Sequence, residues 1–367
     1  MNSIFNISYL TRKIFFILHG FLFISVYVHA QTKPFSKKFS AFPFPILYYA
    51  PETRLSFGVA GTATFRFKKD SDIVKPSNVL IGAAYTQNKQ VLLYTQFQLF
   101  YDNNKYYLFG EAGYYKYSYY FYGTGTNEVP KELYQVNYPR IKINAARQIA
   151  PHIYAGIGYQ YEQYKIADTD SAGALASGTI SGSKGSITSG AGLLLLYDSR
   201  DTVLFPGKGW FGNLSFINNG QVWGGSNNFN RWILDITNYQ KISKNCILAI
   251  NSYNSFVTGN APFQQLSQVG GNKIMRGYYQ GRYADNNLVL LQTEARFPVY
   301  KRFGGALFTN GGFLGNRDTF LRLNDFKYSY GAGIRFTMNR KDHLNLRLDY
   351  AMGPNTSGFY FTFGEAF

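Results

Sequence analysis

The chain has 367 residues, including 32 Tyr, 33 Phe and 37 Gly, and a formal net charge of +17. That length allows one large barrel or two ordinary domains, and the aromatic and glycine loading is not that of an average soluble domain. A single cysteine, Cys246, excludes an intramolecular disulfide framework, and basic residues scattered over the chain exclude a nucleic-acid stripe and favour an anionic surface of lipid or lipopolysaccharide.

The N-terminus carries a basic n-region at Thr11-Arg12-Lys13, an apolar stretch from Ile14 to Val28 and a small-x-small site at Val28-His29-Ala30. This predicts a secretory signal peptide over 1–30, a short periplasmic segment over 31–43 and an outer-membrane barrel over 44–367. No later segment approaches ~18 consecutive apolar residues, so the mature chain crosses a membrane as strands. A mean hydropathy of −0.20 suits this, because alternate strand residues face lipid.

The first predicted strand, 44–50, is short, and Pro43 and Pro45 cannot donate ladder hydrogen bonds. The second, 54–67, alternates cleanly. Leu55, Phe57, Val59, Gly61, Ala63, Phe65 and Phe67 fall on one face; Arg54, Ser56, Gly58, Ala60, Thr62, Thr64 and Arg66 fall on the other. Strands follow at 77–87, 90–101, 105–117, 138–148 and 152–164; in the last, Ile153, Ala155, Ile157, Tyr159 and Tyr161 oppose Tyr154, Gly156, Gly158, Gln160 and Glu162. Next come 186–198, 209–217, 228–241, 245–257, 287–297 and 303–315. The closing three are 326–339, 343–352 and 357–366, and Leu344, Leu346, Leu348 and Tyr350 there oppose Asn345, Arg347 and Asp349. The fold class is therefore all-β, a transmembrane antiparallel barrel of about sixteen strands, or about fourteen without the first strand and a partner.

With the N-terminus in the periplasm, the connections 118–137, 165–185, 218–227, 258–286 and 316–325 are long and external. Those at the other end are mostly short, the barrel asymmetry. The 68–76 and 87–89 connections break the pattern. Enzyme chemistry is not visible: no Gly-x-Ser-x-Gly, phosphate loop or zinc spacing occurs, and His152 and His343 fall in turns. No catalytic residue, metal, small-molecule cofactor or nucleic acid is expected. Glu111, Glu162 and Asp235 are expected to pair lumen arginines.

Four segments resemble the bacterial surface-antigen superfamily of BamA- and TamA-like barrels. They are "GGNKIMRGYYQGRYADNN" at 270–287, "YDSRDTVLFPGKGW" at 197–210, the ending "GFYFTFGEAF" and "YYAPETRLSFG" at 48–58. The resemblance implies a sixteen-stranded barrel whose long sixth outer loop folds back into the lumen. It places Met275, Arg276, Gly277 and Tyr278 there, with Arg276 against a carboxylate of the wall. On the residues alone, Glu294 and Asp349 both lie on water faces and are the candidate partners, Glu294 slightly ahead. Asn310 stands where relatives often carry Asp.

The turn motif is Asp198, Arg200, Asp201, Pro206 and Gly209; its carboxylates can cap backbone N–H groups or pair Arg200, or, less in keeping with ligand spacing, hold a metal. Phe359, Phe361, Phe363 and Phe367 form a C-terminal barrel signal. The resemblance further implies a role in outer-membrane protein or lipid assembly or translocation. About a dozen residues, Gln31 to Phe42, precede the barrel, so a member without periplasmic POTRA repeats is expected, helped by a separate periplasmic or assembly-machinery protein. A weakly paired seam between the first and last strands would be its working element. The rival reading is a passive pore, anion-favouring through Arg54, Arg66, Arg140, Lys142, Arg231, Arg296, Arg335 and Arg347. Loop 258–286 discriminates: inserted, it plugs the lumen; splayed outward, it leaves a channel.

Overall fold

The computed structural model describes residues 39–50, 54–67, 74–125, 130–203, 205–339 and 344–367. The expected signal peptide, residues 31–38 of the expected periplasmic segment and His343 lie outside the described residues.

In chain order the strands are β1 (Phe39–Ala50), β2 (Arg54–Phe65), β3 (Ser77–Thr86), β4 (Val91–Tyr101), β5 (Tyr106–Phe121) and β6 (Glu132–Ala150). There follow β7 (Ile153–Thr169), β8 (Ser186–Asp198), β9 (Gly209–Asn219), β10 (Phe229–Ser243), β11 (Cys246–Gly259), β12 (Ser267–Val269) and β13 (Tyr283–Asp285). The last five are β14 (Asn287–Tyr300), β15 (Phe303–Gly315), β16 (Lys327–Asn339), β17 (Leu344–Gly353) and β18 (Thr356–Phe363). Sixteen of them form one antiparallel sheet in chain order, from β1 at one end to β18 at the other, with β11 pairing directly to β14. β12 and β13 pair with each other outside that sheet, and Ala284 of β13 also bridges Gly125. The sheet is an outer-membrane β-barrel.

The alternation sorts as read from the sequence. On β2, Ser56, Ala60, Thr62 and Thr64 are buried, while Val59 is 67% exposed on the other face. On β7, Tyr154, Gln160 and Glu162 are buried and Ile157 is 64% exposed. An apolar side chain left exposed at every second position is stable only against lipid. Backbone groups meet their partners in the neighbouring strand, which the hydrocarbon layer demands.

Several boundaries differ from the sequence reading; β7, for example, runs on to Thr169, past the expected end at 164. β1 is not short; it starts at Phe39, ahead of Pro43 and Pro45, and pairs with β2 along its whole length. The expected 118–137 loop shrinks, because β5 runs on to Phe121 and β6 begins at Glu132. The extension has a packing cause: Phe121, Tyr134, Val136 and Tyr138 turn inward and cluster with Tyr164, Leu175 and Phe263. β18 ends at Phe363, and residues 364–367 leave the sheet at Gly364, whose φ is +75°.

Candidate functional site

The connection between β11 and β14 is folded inward. Its two short strands pair Ser267 with Asp285 and Val269 with Tyr283, making a stalk. Gly270 and Gly271, with φ of +107° and +90°, then turn the chain back on itself. At the tip, Met275, Arg276, Gly277 and Tyr278 are buried, with Met275 and Arg276 at 0% exposure. Val269, Met275, Tyr278 and Tyr283 pack on the inward residues Leu288, Leu290 and Leu314 of the wall.

Arg276 reaches both carboxylates that the sequence offered as alternatives. Its Nη2 donates to Glu294 Oε2 at 2.6 Å and its Nη1 to Asp349 Oδ2 at 2.6 Å. The guanidinium carbon lies 3.5 Å from the centre of the Phe308 ring, a stacked cation–π contact. Glu294 is on β14 and Asp349 on β17, so the arginine bridges strands that do not touch. The room for this comes from Gly333 on the intervening β16: a Cβ there would sit 2.0 Å from Asp349 Oδ1.

The neighbouring backbone is also held. Met275 N donates to Gln292 Oε1 at 3.0 Å, and Gly277 N donates to the Tyr360 hydroxyl at 2.8 Å. That hydroxyl donates to the Tyr278 carbonyl at 3.1 Å, and Tyr278 donates its own proton to the Tyr328 carbonyl at 3.0 Å. Burial pushes the Tyr278 phenol up to about 12, so it stays a donor. Gly277 has a φ of +112° and Ser329 Cβ would lie 3.1 Å from any added Cβ, so the motif requires glycine here.

Around Arg276 a network forms that sequence reading reached only in part. Arg296 Nε is 2.7 Å from Glu294 Oε1, and Arg335 Nη1 is 2.5 Å from Asp349 Oδ1. Arg347 donates to Thr362 Oγ1 at 2.8 Å and to the Asn272 carbonyl, on the loop itself, at 2.8 Å. Glu365, which the sequence reading did not single out, receives Arg335 Nε at 2.9 Å. It lies past the last strand, where alternation carries no information; Gly364 was the available sign of an inward turn. Asn310 takes no part: its Nδ2 donates to Ser329 Oγ at 2.9 Å. The lumen arginines 296, 335 and 347 are therefore tied up in pairs rather than lining a free anion path. Glu111 and Glu162 do pair with Arg140, at 3.3 and 3.1 Å, whereas Asp235 is held by Asn251 Nδ2 at 2.6 Å.

The turn 198–209 is a hydrogen-bonded cap. Asp198 accepts from Arg200 Nε at 2.9 Å and Nη2 at 3.0 Å, and Lys75 Nζ is 2.8 Å away. Burial opposes the charge on Arg200, but the hydrogen-bonded Asp198 outweighs it and holds the guanidinium above its ordinary value. Asp201 Oδ1 accepts backbone N–H bonds from Thr202 and Gly207, both at 2.9 Å. Gly209 has a φ of +106° where the chain re-enters the wall, and Pro206 borders the lumen. Among the described residues no group of three or more His, Cys, Asp or Glu is placed to hold a metal.

Of the aromatic ending, Phe359 and Phe361 are 75% and 48% exposed on the lipid face. Phe363 pairs with Leu346 in the β17–β18 ladder. Phe367 is inside, where its carbonyl accepts from Arg296 Nη2 at 3.0 Å.

Residues 81–367 match the Omp85 superfamily domain. The structure is similar to that of BamA from Haemophilus ducreyi lacking POTRA domains 1–3, with a TM-score of 0.56 and 13% identity over 89% of this chain and 70% of that one. It is similar to CdiB from Acinetobacter baumannii (TM-score 0.56, 12% identity, 87% of this chain and 56% of that one). It is also similar to CdiB from Escherichia coli (0.57, 10%, 90% and 62%). The chain thus spans less than two thirds of either CdiB. No curated protein matches the sequence. With the barrel, the inward loop and the domain match in agreement, this chain belongs to the Omp85 superfamily of outer-membrane β-barrels.

Proposed function

We propose that this protein assists the assembly or translocation of outer-membrane proteins or lipids, that it does so without enzymatic chemistry, and that its working surface is the barrel wall. The observation that supports this best is the seating of Arg276 at 0% exposure between two carboxylates. A lumen occupied by its own bonded loop is a poor conduit, which disfavours the passive-pore reading. The wall's candidate opening is the seam between β1 and β18, the two ends of the sheet. Proline is tolerated in a strand where its nitrogen faces away from the paired neighbour. Pro43 and Pro45 are two apart on β1 and both lie in register with β2, opposite Gly61 and Val59. By that rule both nitrogens face away from β2, toward the seam, which lowers the number of bonds β18 can make there. A separate periplasmic partner that delivers the client belongs to the same proposal.

The test uses the mature chain in liposomes. Leu47→Cys and Phe361→Cys, in a Cys246→Ser background, place a reversible crosslink across the seam. Insertion of an unfolded outer-membrane client should stop on oxidation and return on reduction. Equal insertion in both states, or none above protein-free liposomes, would overturn the proposal. Planar-bilayer recording supplies the second arm: a steady open conductance would favour the pore.

A further inference from the structure

At the short-turn rim, the periplasmic one on the expected topology, the wall has a notch. The β11–β14 ladder ends at Ile247 with Arg296, and the β14–β15 register shifts between Pro298 and Tyr300. Pro298 has no N–H to offer there. The gap that results, about 330 Å³, lies between the Lys244–Asn245 turn and the Lys301–Arg302 turn. Six cations border it: Lys241, Lys244, Arg296, Lys301, Arg302 and Arg335. No Asp or Glu does.

The six are of two kinds. Arg296 and Arg335 are 2% and 3% exposed and already bonded to Glu294, Glu365 and Asp349. Lys241, Lys244, Lys301 and Arg302 are exposed at the mouth. Among the described residues none of these four has a carboxylate within ion-pair distance; Lys301 lies over the Tyr300 ring at 4.9 Å and Arg302 reaches the Met338 carbonyl at 3.4 Å. Like charges gathered without counter-charge repel one another, so an arriving anion lowers the free energy of the rim. Directly outside, Val299, Tyr300 and Phe303 are 66%, 63% and 49% exposed, an apolar ledge at the membrane boundary.

We propose that this notch binds the phosphate headgroup of an anionic phospholipid, with its acyl chains laid along the Val299–Phe303 ledge. A free phosphate would use the cations and leave the ledge unexplained. An acidic protein segment would meet the cations but has no need of a lipid-facing apolar border. Basic clusters at a membrane boundary attract anionic lipid for the same electrostatic reason.

Cys246 borders the notch, is half-buried and is the chain's one cysteine, so it reports occupancy without mutation. The experiment measures its rate of maleimide labelling in the intact protein in neutral detergent. Saturating phosphatidylglycerol should slow labelling on the order of tenfold, the occupancy expected at about ten times Kd. Phosphatidylcholine and inorganic phosphate should not. Protection should vanish in Lys244→Gln/Lys301→Gln/Arg302→Gln and persist in Lys184→Gln/Arg317→Gln/Arg322→Gln, which removes the same charge from the opposite rim. Should the first triple variant fail to fold, Lys301→Glu alone carries the same expectation. Protection by phosphatidylcholine, protection by inorganic phosphate, or full protection in the notch variant would each overturn the proposal. So would an acidic protein, co-purified from membranes, that shields Cys246 while phosphatidylglycerol does not.

Discussion

The wall built by β14–β18 and the wall built by β1–β4 face the same lumen with opposite chemistry. The first, with the residues just after it, presents Arg296, Arg335 and Arg347 and the carboxylates Glu294, Asp349 and Glu365, and the loop tip adds Arg276. The second presents Ser56, Ala60, Thr62, Thr64, Asn78 and Gln96, and it borders a cavity of about 480 Å³ that the loop does not fill. Lys273 reaches that cavity from the loop. The plug is therefore fastened by charge to the β14–β18 wall and by aromatic packing to β5–β7, and is merely adjacent to the β1–β4 wall. Buried ion pairs are strong fasteners only while complete, since removing one partner strands the rest. Small neutral residues bind nothing tightly and let a wall flex.

The largest effect expected from breaking this contrast is Arg276→Ala. It leaves Glu294 and Asp349 facing a loop without its cation and should cost about 3–5 kcal/mol. The heat-modifiable gel transition should move to lower temperature, and bilayer conductance should rise as the loop loosens. An unchanged transition would mean the apolar packing of Met275 and Tyr278 holds the plug alone. Combining Arg276→Ala with Glu294→Gln should cost less than the two separately, by about 0.5–3 kcal/mol, because they share one network. Strict additivity would separate the loop from the network.

Next in size is Gly277→Ala, at about 1–3 kcal/mol, from a left-handed backbone and a Cβ pressed on Ser329. It should loosen the plug without altering any charge, so its conductance, scaled to that of the bulk electrolyte, should not change with salt where that of Arg276→Ala does. Asp201→Ala should cost about 1 kcal/mol by freeing the N–H groups of Thr202 and Gly207, read as a modest shift of the same gel transition. The smallest change is expected at the neutral wall: Gln96→Ala, bordering the cavity, should stay within about 0.5 kcal/mol. A large loss there would show that the β1–β4 wall is as constrained as the other.

The sheet and its two faces were legible in the chain because the strand period is two and membrane and lumen demand opposite polarity. Leu55–Phe65, Ile153–Glu162 and Leu344–Asp349 needed no other information. The Met275–Tyr278 motif and the water-face positions of Glu294 and Asp349 were legible as well. That Arg276 takes both carboxylates was not, because β14 and β17 come together only through the glycines of β16 and the curvature of the sheet. The extension of β5 and β6 was hidden for a similar reason, since Phe121 and Tyr134 are held by Phe263 from a distant loop. Glu365 was hidden because the chain leaves the strand one residue earlier, and periodicity stops where the ladder does. Alternation is local and survives in the sequence; which charges share a lumen depends on strands far apart in the chain, and only the curvature of the folded sheet decides it.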